Sequence, residues 1–250
     1  MLYAAILAGG SGTRIGGPLP KQFMDIGGVP VLLRTVRRFV PCPFDGIYIA
    51  CNADWLELAE QQLSPLADDS RLHIIPGGSD RTGSLLRVLC AIEQERSGKP
   101  ADEALLLSGS TLASGGDIIA THDAARPFVS VRCINESIEA AACGCAGAAI
   151  PSADTILCSE DGDTITAIPR RTTLFRAQTP QTFVIGEYLR HLAAASEEQR
   201  RAFTDVCGVF TAAGAQVRIV PGDDCNLKIT TPLDIELANC IATAQDKAAL

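Results

Sequence analysis

Residues 4–23 read AAILAGGSGTRIGGPLPKQF, a short apolar run that drops into a loop of five glycines and then meets Arg14 and Lys21. An apolar strand ending in glycines is how many α/β folds begin. Without a Cβ in the way, backbone N–H groups can approach phosphate oxygens closely. Two flexible cations on one such loop suit a polyphosphate, whose charge density rewards several donors. Pro18 and Pro20 stiffen the approach to Lys21 and hold it off a helix. Two better-known phosphate loops fail on spacing. No lysine follows the final glycine as G-x-x-x-x-G-K-[ST] requires, and Ile15 stands where G-x-G-x-x-G needs its third glycine. The bland alternative is a surface turn with incidental charge.

Working outward, short apolar runs recur at Leu2–Leu7, Gly46–Cys51, Leu72–Ile75, Ile118–Thr121, Ala146–Ile150 and Gln216–Val220. Helical stripes lie between them. Val31, Leu32, Thr35, Val36 and Phe39 share a face behind Pro30, placed as a helix-first proline. Leu85, Leu86, Leu89 and Ile92 form a second stripe, and Ile134, Ile138 and Ala141 begin a third. Strands alternating with helices predict an α/β fold: a Rossmann-like, mostly parallel sheet with helices on both faces, in one domain over residues 1–250. Ligands of such sheets bind beyond the carboxyl ends of the strands. One segment breaks the rhythm. Pro151–Ile168 holds two β-branched runs around Asp161-Gly162, a hairpin turn signal. We expect it to project as a β-arm that meets a partner subunit; an antiparallel edge pair on the main sheet is the alternative.

Whole-chain properties remove several function classes. A formal charge of −8 argues against a nucleic-acid surface, which needs a basic stripe. No apolar run reaches the roughly 20 residues of a membrane span, and no signal-peptide pattern precedes the first strand. The expectation is a cytoplasmic chain with no membrane partner. Ten cysteines are scattered, several in apolar segments (Cys51, Cys90, Cys240), and Cys143 and Cys145 form only a C-x-C pair. They read as reduced, buried structural thiols rather than disulfides or a zinc site.

Two further loops carry polar chemistry. Gly77-Gly78-Ser79-Asp80-Arg81-Thr82-Gly83-Ser84 follows the third apolar run and opens a helix, whose N-terminus favours anions. His122-Asp123-Ala124-Ala125-Arg126-Pro127 follows the fourth. An aspartate at a strand's carboxyl end is where an α/β fold places a magnesium-facing carboxylate, and Arg126 three residues on could bind a substrate phosphate; the lesser alternative is an Asp123–Arg126 ion pair stabilising the turn. Lys228, flanked by Leu227 and Ile229, reads either as an edge-strand gatekeeper or as a cation aimed into a site. The three histidines lack a nucleophile–base setting and no G-x-S-x-G elbow occurs, so a covalent enzyme intermediate is not expected. Direct phosphoryl or nucleotidyl transfer needs none. A nicotinamide-dependent oxidoreductase fits poorly, because Cys51-Asn52 stands where an acidic residue should close the second strand. A non-catalytic nucleotide-binding module remains as a second alternative.

In order along nearly the whole chain, AAILAGGSGTR, PKQF, GGSDR, HDAARPF, DTI, QTPQTF, TD and NLKITTPLDIELA resemble the CTP-dependent cytidylyltransferases that make CDP-polyols. The resemblance implies CTP, a polyol phosphate and Mg2+ at one site. Leu7, Ala8, Gly9, Gly10, Ser11, Gly12 and Thr13 would cradle the triphosphate, with Arg14 and Lys21 meeting the charge that develops at the α-phosphorus. Gly78, Ser79, Asp80, Arg81, Thr82, Gly83 and Ser84 would hold cytosine and ribose, and Asp123 with Ala124 would sit by the nucleotide and the metal. Asp123, Arg126, Thr155, Arg171, Thr179, Thr204 and Lys228 match positions that handle the polyol phosphate, with Arg171 and Lys228 orienting it for attack. The projecting segment would be a homodimer arm, placing Thr155 across the interface. The family has two bacterial branches. HDAARP is the form associated with the 2-C-methyl-D-erythritol 4-phosphate enzyme of isoprenoid biosynthesis. The opening ILAGGSGTR, the GPLPKQF spacing, GGSDR, Trp55 and TDVC look more like the D-ribitol 5-phosphate branch, and the expectation leans to CDP-ribitol. Ser108–Gly116 departs from both branches. It is expected to alter site access or to be a solvated loop.

Overall fold

The computed structural model describes residues 1–10 and 19–248, so Ser11, Gly12, Thr13 and Arg14 of the first loop lie outside the described residues. In chain order the strands are β1 (Leu2–Ala8), β2 (Asp25–Ile26), β3 (Val29–Pro30), β4 (Gly46–Cys51), β5 (Leu72–Pro76), β6 (Ile118–Asp123), β7 (Cys145–Pro151), β8 (Phe175–Val184) and β9 (Val217–Pro221). The helices are α1 (Val31–Phe39), α2 (Leu56–Leu63), α3 (Arg81–Ser97), α4 (Glu103–Gly109), α5 (Thr111–Ser114), α6 (Val131–Ala141), α7 (Ile185–Ala194), α8 (Glu197–Ala202), α9 (Val206–Ala212) and α10 (Pro232–Ala248). Seven strands form one sheet in the order β5-β4-β1-β6-β8-β7-β9, with β2 and β3 a separate small pair. All neighbours in the large sheet run parallel except β8, which is antiparallel to both β6 and β7.

The two-residue period of β1 explains why helices cover both faces. Tyr3 and Ala5 join Tyr48, Ala50 and Ile119 beneath α3, α7 and α9. Ala4, Ile6 and Ala8 point the other way and join Ile47, Ile49, Cys51 and Ala120 beneath α1, α2 and α6. A third cluster seats Ala238 and Ala242 of α10 against Ile26, Phe128 and Ile229. At the start of α3 the Asp80 side chain accepts from Gly83 N–H, and at its end Gly98 takes the left-handed φ of 66° that closes the helix. Pro30 is the N-cap residue of α1 rather than its first helical residue.

Three segments bear on the sequence reading. QTPQTF forms the heart of β8. A proline in a central strand removes a ladder donor, which argues against that assignment. Here Pro180 falls at a gap: β8 pairs with β7 at Phe175–Ala177 and again from Gln181, so Gln178–Pro180 owe no ladder bond to it. Second, the arm grows from the β7–β8 hairpin, which pairs inside the sheet rather than at its edge. Residues 153–168 are all exposed, held as a hairpin by one bridge between Cys158 and Ala167 with Gly162 at φ 84°.

Third, Ser108–Gly116 is no solvated loop. Its Leu112 is fully buried, and the buried Glu93 carboxylate accepts from Thr111 N–H (3.1 Å), Thr111 Oγ1 (2.9 Å) and Leu112 N–H (3.0 Å). It precedes Ile118, at the opposite end of β6 from Asp123. At ~3.3 Å per residue that separates it from the carboxyl-end loops by about 16 Å. The ten cysteines are free, but Cys143, Cys158, Cys225 and Cys240 are exposed rather than buried.

Candidate active site

The carboxyl ends of β1, β4, β5 and β6 open into a cavity of about 650 Å³. Its wall is made of the loops the sequence singled out: Leu7, Ala8, Gly9 and Gly10 after β1, Lys21, then Gly78, Ser79, Asp80, Arg81 and Ser84 after β5, then Asp123 and Ala124 after β6, with Thr204 and Lys228. The first loop is held from below by Gln22. This side chain is 2 % exposed, and its Nε2 donates to Ala8 O (2.8 Å) and Gly10 O (3.0 Å). The second loop folds onto itself: Ser84 Oγ accepts from Gly78 N–H at 3.1 Å, and Gly77 N–H donates to Cys51 O at 2.6 Å. A Cβ on Gly78 would collide with the Gly83 backbone and come within 2.7 Å of Ser84 N, so only glycine fits there.

At the end of β6 the Asp123 carboxylate gathers three cations. Arg81 donates to Oδ1, Arg126 Nε lies 3.2 Å from Oδ2, and Lys228 Nζ lies 3.0 Å from the same oxygen. Burial alone would raise the Asp123 carboxyl. Arg81, Lys228 and Arg126 together outweigh it and hold the group far below the usual carboxylate range. One negative charge among three positive ones leaves the cluster net positive in a chain of net charge −8, which makes this end of the sheet a place for an anion.

Below the carboxylate runs a chain of hydrogen bonds. Asp123 N–H donates to Thr179 Oγ1 (3.2 Å), and Thr179 Oγ1 meets His122 Nδ1 (2.9 Å). The opposite ring nitrogen, Nε2, faces Arg126 O at 3.0 Å. A carbonyl can only accept, so Nε2 carries the proton, Nδ1 accepts, and the Thr179 hydroxyl donates. Burial pushes the His122 imidazole down to about 4, which keeps it in this neutral form. On the far side, Thr35 Oγ1 of α1 donates to Ala124 O at 2.7 Å.

The predicted residues therefore divide. Most of the first-loop and second-loop residues meet Asp123, Thr204 and Lys228 in one cavity. Thr82 instead lines a small adjoining pocket with Leu7, Arg81, Tyr188 and Asp205. Thr179 is 3 % exposed and supports Asp123 from behind. Arg126 spends its remaining donors on Asn226 O (2.8 Å) and Ala177 O (3.5 Å). Thr155 and Arg171 are exposed at the arm and are not among the described residues that line the cavity; the Arg171 guanidinium reaches Ala153 O at 3.4 Å. Lys228 is in no strand; it sits in irregular chain before α10. Gln22, Asn52 and Ala125 line the cavity without having been singled out. Gln22 was legible in hindsight, as an amide one residue after the loop's lysine. Trp55, counted as a branch marker, packs its ring on Phe23 at 5.8 Å.

Asp123 is a single carboxylate, and magnesium is commonly held by one or two carboxylates together with substrate phosphates. Both Asp123 oxygens are engaged by cations, and no group of three His, Cys, Asp or Glu that could hold a metal occurs among the described residues. No helix among these residues is long and apolar enough to cross a membrane.

A family model described as IspD, 2-C-methyl-D-erythritol 4-phosphate cytidylyltransferase, matches residues 2–99 and 97–244. Among solved structures, 4-diphosphocytidyl-2C-methyl-D-erythritol synthase from Anaerococcus prevotii superposes with a TM-score of 0.74 at 24% identity, over 97% of this chain and 96% of that one. The 2-C-methyl-D-erythritol 4-phosphate cytidylyltransferase from Thermus thermophilus gives 0.66 at 25% identity, over 97% and 100%. The Francisella tularensis enzyme of the same name gives 0.72 at 23% identity, over 96% and 98%. These matches support the methylerythritol branch better than the ribitol branch toward which the sequence motifs leaned. With the match running through both halves of the chain, the protein belongs to the 2-C-methyl-D-erythritol 4-phosphate cytidylyltransferase family and is a CTP-dependent nucleotidyltransferase.

Proposed function

We propose that the chain transfers the cytidylyl group of CTP to 2-C-methyl-D-erythritol 4-phosphate. The observation that carries this reading is the convergence of Arg81, Arg126 and Lys228 on Asp123, a carboxylate that lines one cavity together with a glycine-rich loop. A phosphate oxygen of the acceptor attacks the α-phosphorus in line, the bond to the β-phosphate breaks, and pyrophosphate leaves with that electron pair. The acceptor brings its own nucleophile, so the protein's task is positioning and charge. The loop from Leu7 to Thr13, with Arg14 and Lys21, holds the triphosphate and meets the charge that builds at the α-phosphorus. The loop from Gly78 to Ser84 takes cytosine and ribose, with Asp123 and Ala124 beside the nucleotide. Lys228 and Thr204 face the acceptor phosphate, Arg126 adds its charge from behind Asp123, and Thr179 acts through Asp123. Enzymes of this family depend on a divalent metal. Because the described residues form no cage for it, the ion arrives on the triphosphate and is part of that substrate.

The arm supports a homodimer. Ile156, Leu157, Ile165 and Ile168 are 42–60% exposed on it, and an apolar patch on a projecting element asks for a partner. In that assembly Thr155 and Arg171 would reach the acceptor site of the second copy. Ten free thiols support a reducing, cytoplasmic setting.

The test is pyrophosphate release from CTP and Mg2+ with methylerythritol 4-phosphate and, separately, with ribitol 5-phosphate. Turnover on the first alone is the expected result; turnover on ribitol 5-phosphate alone would reinstate the other branch. In the same assay Lys21→Ala should lower kcat by about 10²- to 10³-fold, the usual effect of losing one preorganised donor. A loss of CTP affinity with no turnover in the wild-type chain would instead indicate a nucleotide-binding module.

A further inference from the structure

Lys228 occupies a stretch between β9 and α10 that has neither a strand ladder nor a helix to place it. Its ammonium ends a flexible four-carbon stem, so the charge is only as well placed as the backbone beneath it. Two neighbours in the stretch are fully buried, Asn226 and Ile229. Ile229 is an apolar anchor in the cluster under α10, and its N–H donates to Ala125 O at 2.9 Å. Asn226 is an amide with no exposed surface, and apolar packing does not explain it.

Its Nδ2 donates to Thr179 O (2.8 Å) and to Gln178 Oε1 (3.2 Å), and its own backbone carbonyl accepts from Arg126 at 2.8 Å. The orientation of both amides is set by the backbone. Gln178 Nε2 donates to Asp223 O (2.8 Å) and its Oε1 accepts from Asp223 N–H (3.2 Å), so Gln178 presents an acceptor and Asn226 must answer with its NH2. The contacts fall where β8 has no ladder partner on β7, at Gln178–Pro180. The Oδ1 of Asn226 is buried and finds no hydrogen-bond partner among the described residues. Burying such an atom is unfavourable, so the residue is a poor choice for packing and a good one for tying β8, Arg126 and the Lys228 stretch together.

We propose that Asn226 is a positioning residue of the transfer reaction, holding Lys228 and Arg126 at Asp123. The inference rests on the cytidylyltransferase reading, in which Lys228 meets the acceptor phosphate. A leucine would fill the space but leave Thr179 O without this donor and Gln178 Oε1 with Asp223 N–H alone; an aspartate would set a carboxylate against two acceptors.

Asn226→Ala and the isosteric Asn226→Asp are compared with wild type in the full-length protein. Either should lower kcat with methylerythritol 4-phosphate by about 10²-fold, the scale of a misplaced catalytic group, with the CTP dissociation constant unchanged. In a Lys228→Ala background the same substitution should cost clearly less than in the wild type, because Lys228, the nearer of its two targets in sequence, is already gone. Losses that multiply in the double variant overturn the proposal, as does a loss seen only in thermal stability. A second readout needs no turnover. After reductive 13C-methylation, the Lys228 dimethylamine signal, identified by its absence in Lys228→Ala, should move to the exposed-lysine position in Asn226→Asp. An unmoved signal overturns the proposal even if the folded wild-type protein turns over neither acceptor, an outcome that would count against the reaction and not against the anchor.

Discussion

At the scale of the residue, His122 and Asp123 are neighbours with opposite electrostatics. Asp123 is ionised because three cations outweigh its burial, whereas His122 is neutral because nothing outweighs its own. The ring's unfolded value lies near 6.5 and its folded value near 4, so between those pH values the unfolded chain binds the extra proton. Stability from the neutral ring is therefore complete above about pH 6.5 and drains away as the pH falls toward 4, by about 3 kcal/mol in all. Urea unfolding at pH 7.5 and pH 4.5 should show this loss in the wild type. His122→Asn, compared at the same two pH values, should lose less; equal losses would mean the ring is not what titrates. His122 was visible in the sequence only as a histidine without a nucleophile. Its role as a support depends on Thr179, 57 positions away.

Among the elements, the second loop shows how closely the chain approaches itself to make a site. Gly78 lies against Gly83 and Ser84 at the start of α3. Alanine at 78 must push the helix N-terminus away from the end of β5, and with it Arg81 from Asp123. Gly78→Ala should weaken CTP binding by at least about tenfold, roughly 1.4 kcal/mol, measured by calorimetry. Unchanged affinity would place the nucleotide elsewhere. Elements differed in how well they could be read. β1, β4 and α3 are bounded by glycines, an aspartate cap and apolar periodicity, all local signals. β8 carried a proline that should have excluded it from a central strand, and only the gap in its pairing with β7 explains the exception.

For the whole molecule, the exposed arm is the feature that a single copy leaves unexplained. Sedimentation velocity should show a dimer for the wild type and a monomer for the double variant Ile165→Asp, Ile168→Asp. The monomer should keep its affinity for CTP, whose cavity residues all belong to the body of one chain, and lose kcat on the acceptor with Thr155 and Arg171 out of reach. A monomeric wild type with full activity would remove the arm from the site.

Local chemistry was enough for the sequence to determine the alternating fold, the glycine loop with its lysine, the capped second loop and the aspartate closing β6. Each of these depends on residues within a few positions of one another, and backbone sterics and two-residue or 3.6-residue periodicity act at that range. Only the tertiary structure decided that Arg81 and Lys228 both reach Asp123. It also decided that Thr179 meets Asp123 N–H, that Asn226 is bonded to β8, and that Ser108–Gly116 packs on Glu93 at the far end of β6. The physical reason is the same in each case. The partners come from strands and loops 18 to 105 residues apart, and the charge or hydrogen bond between them exists only once the sheet has brought those segments together.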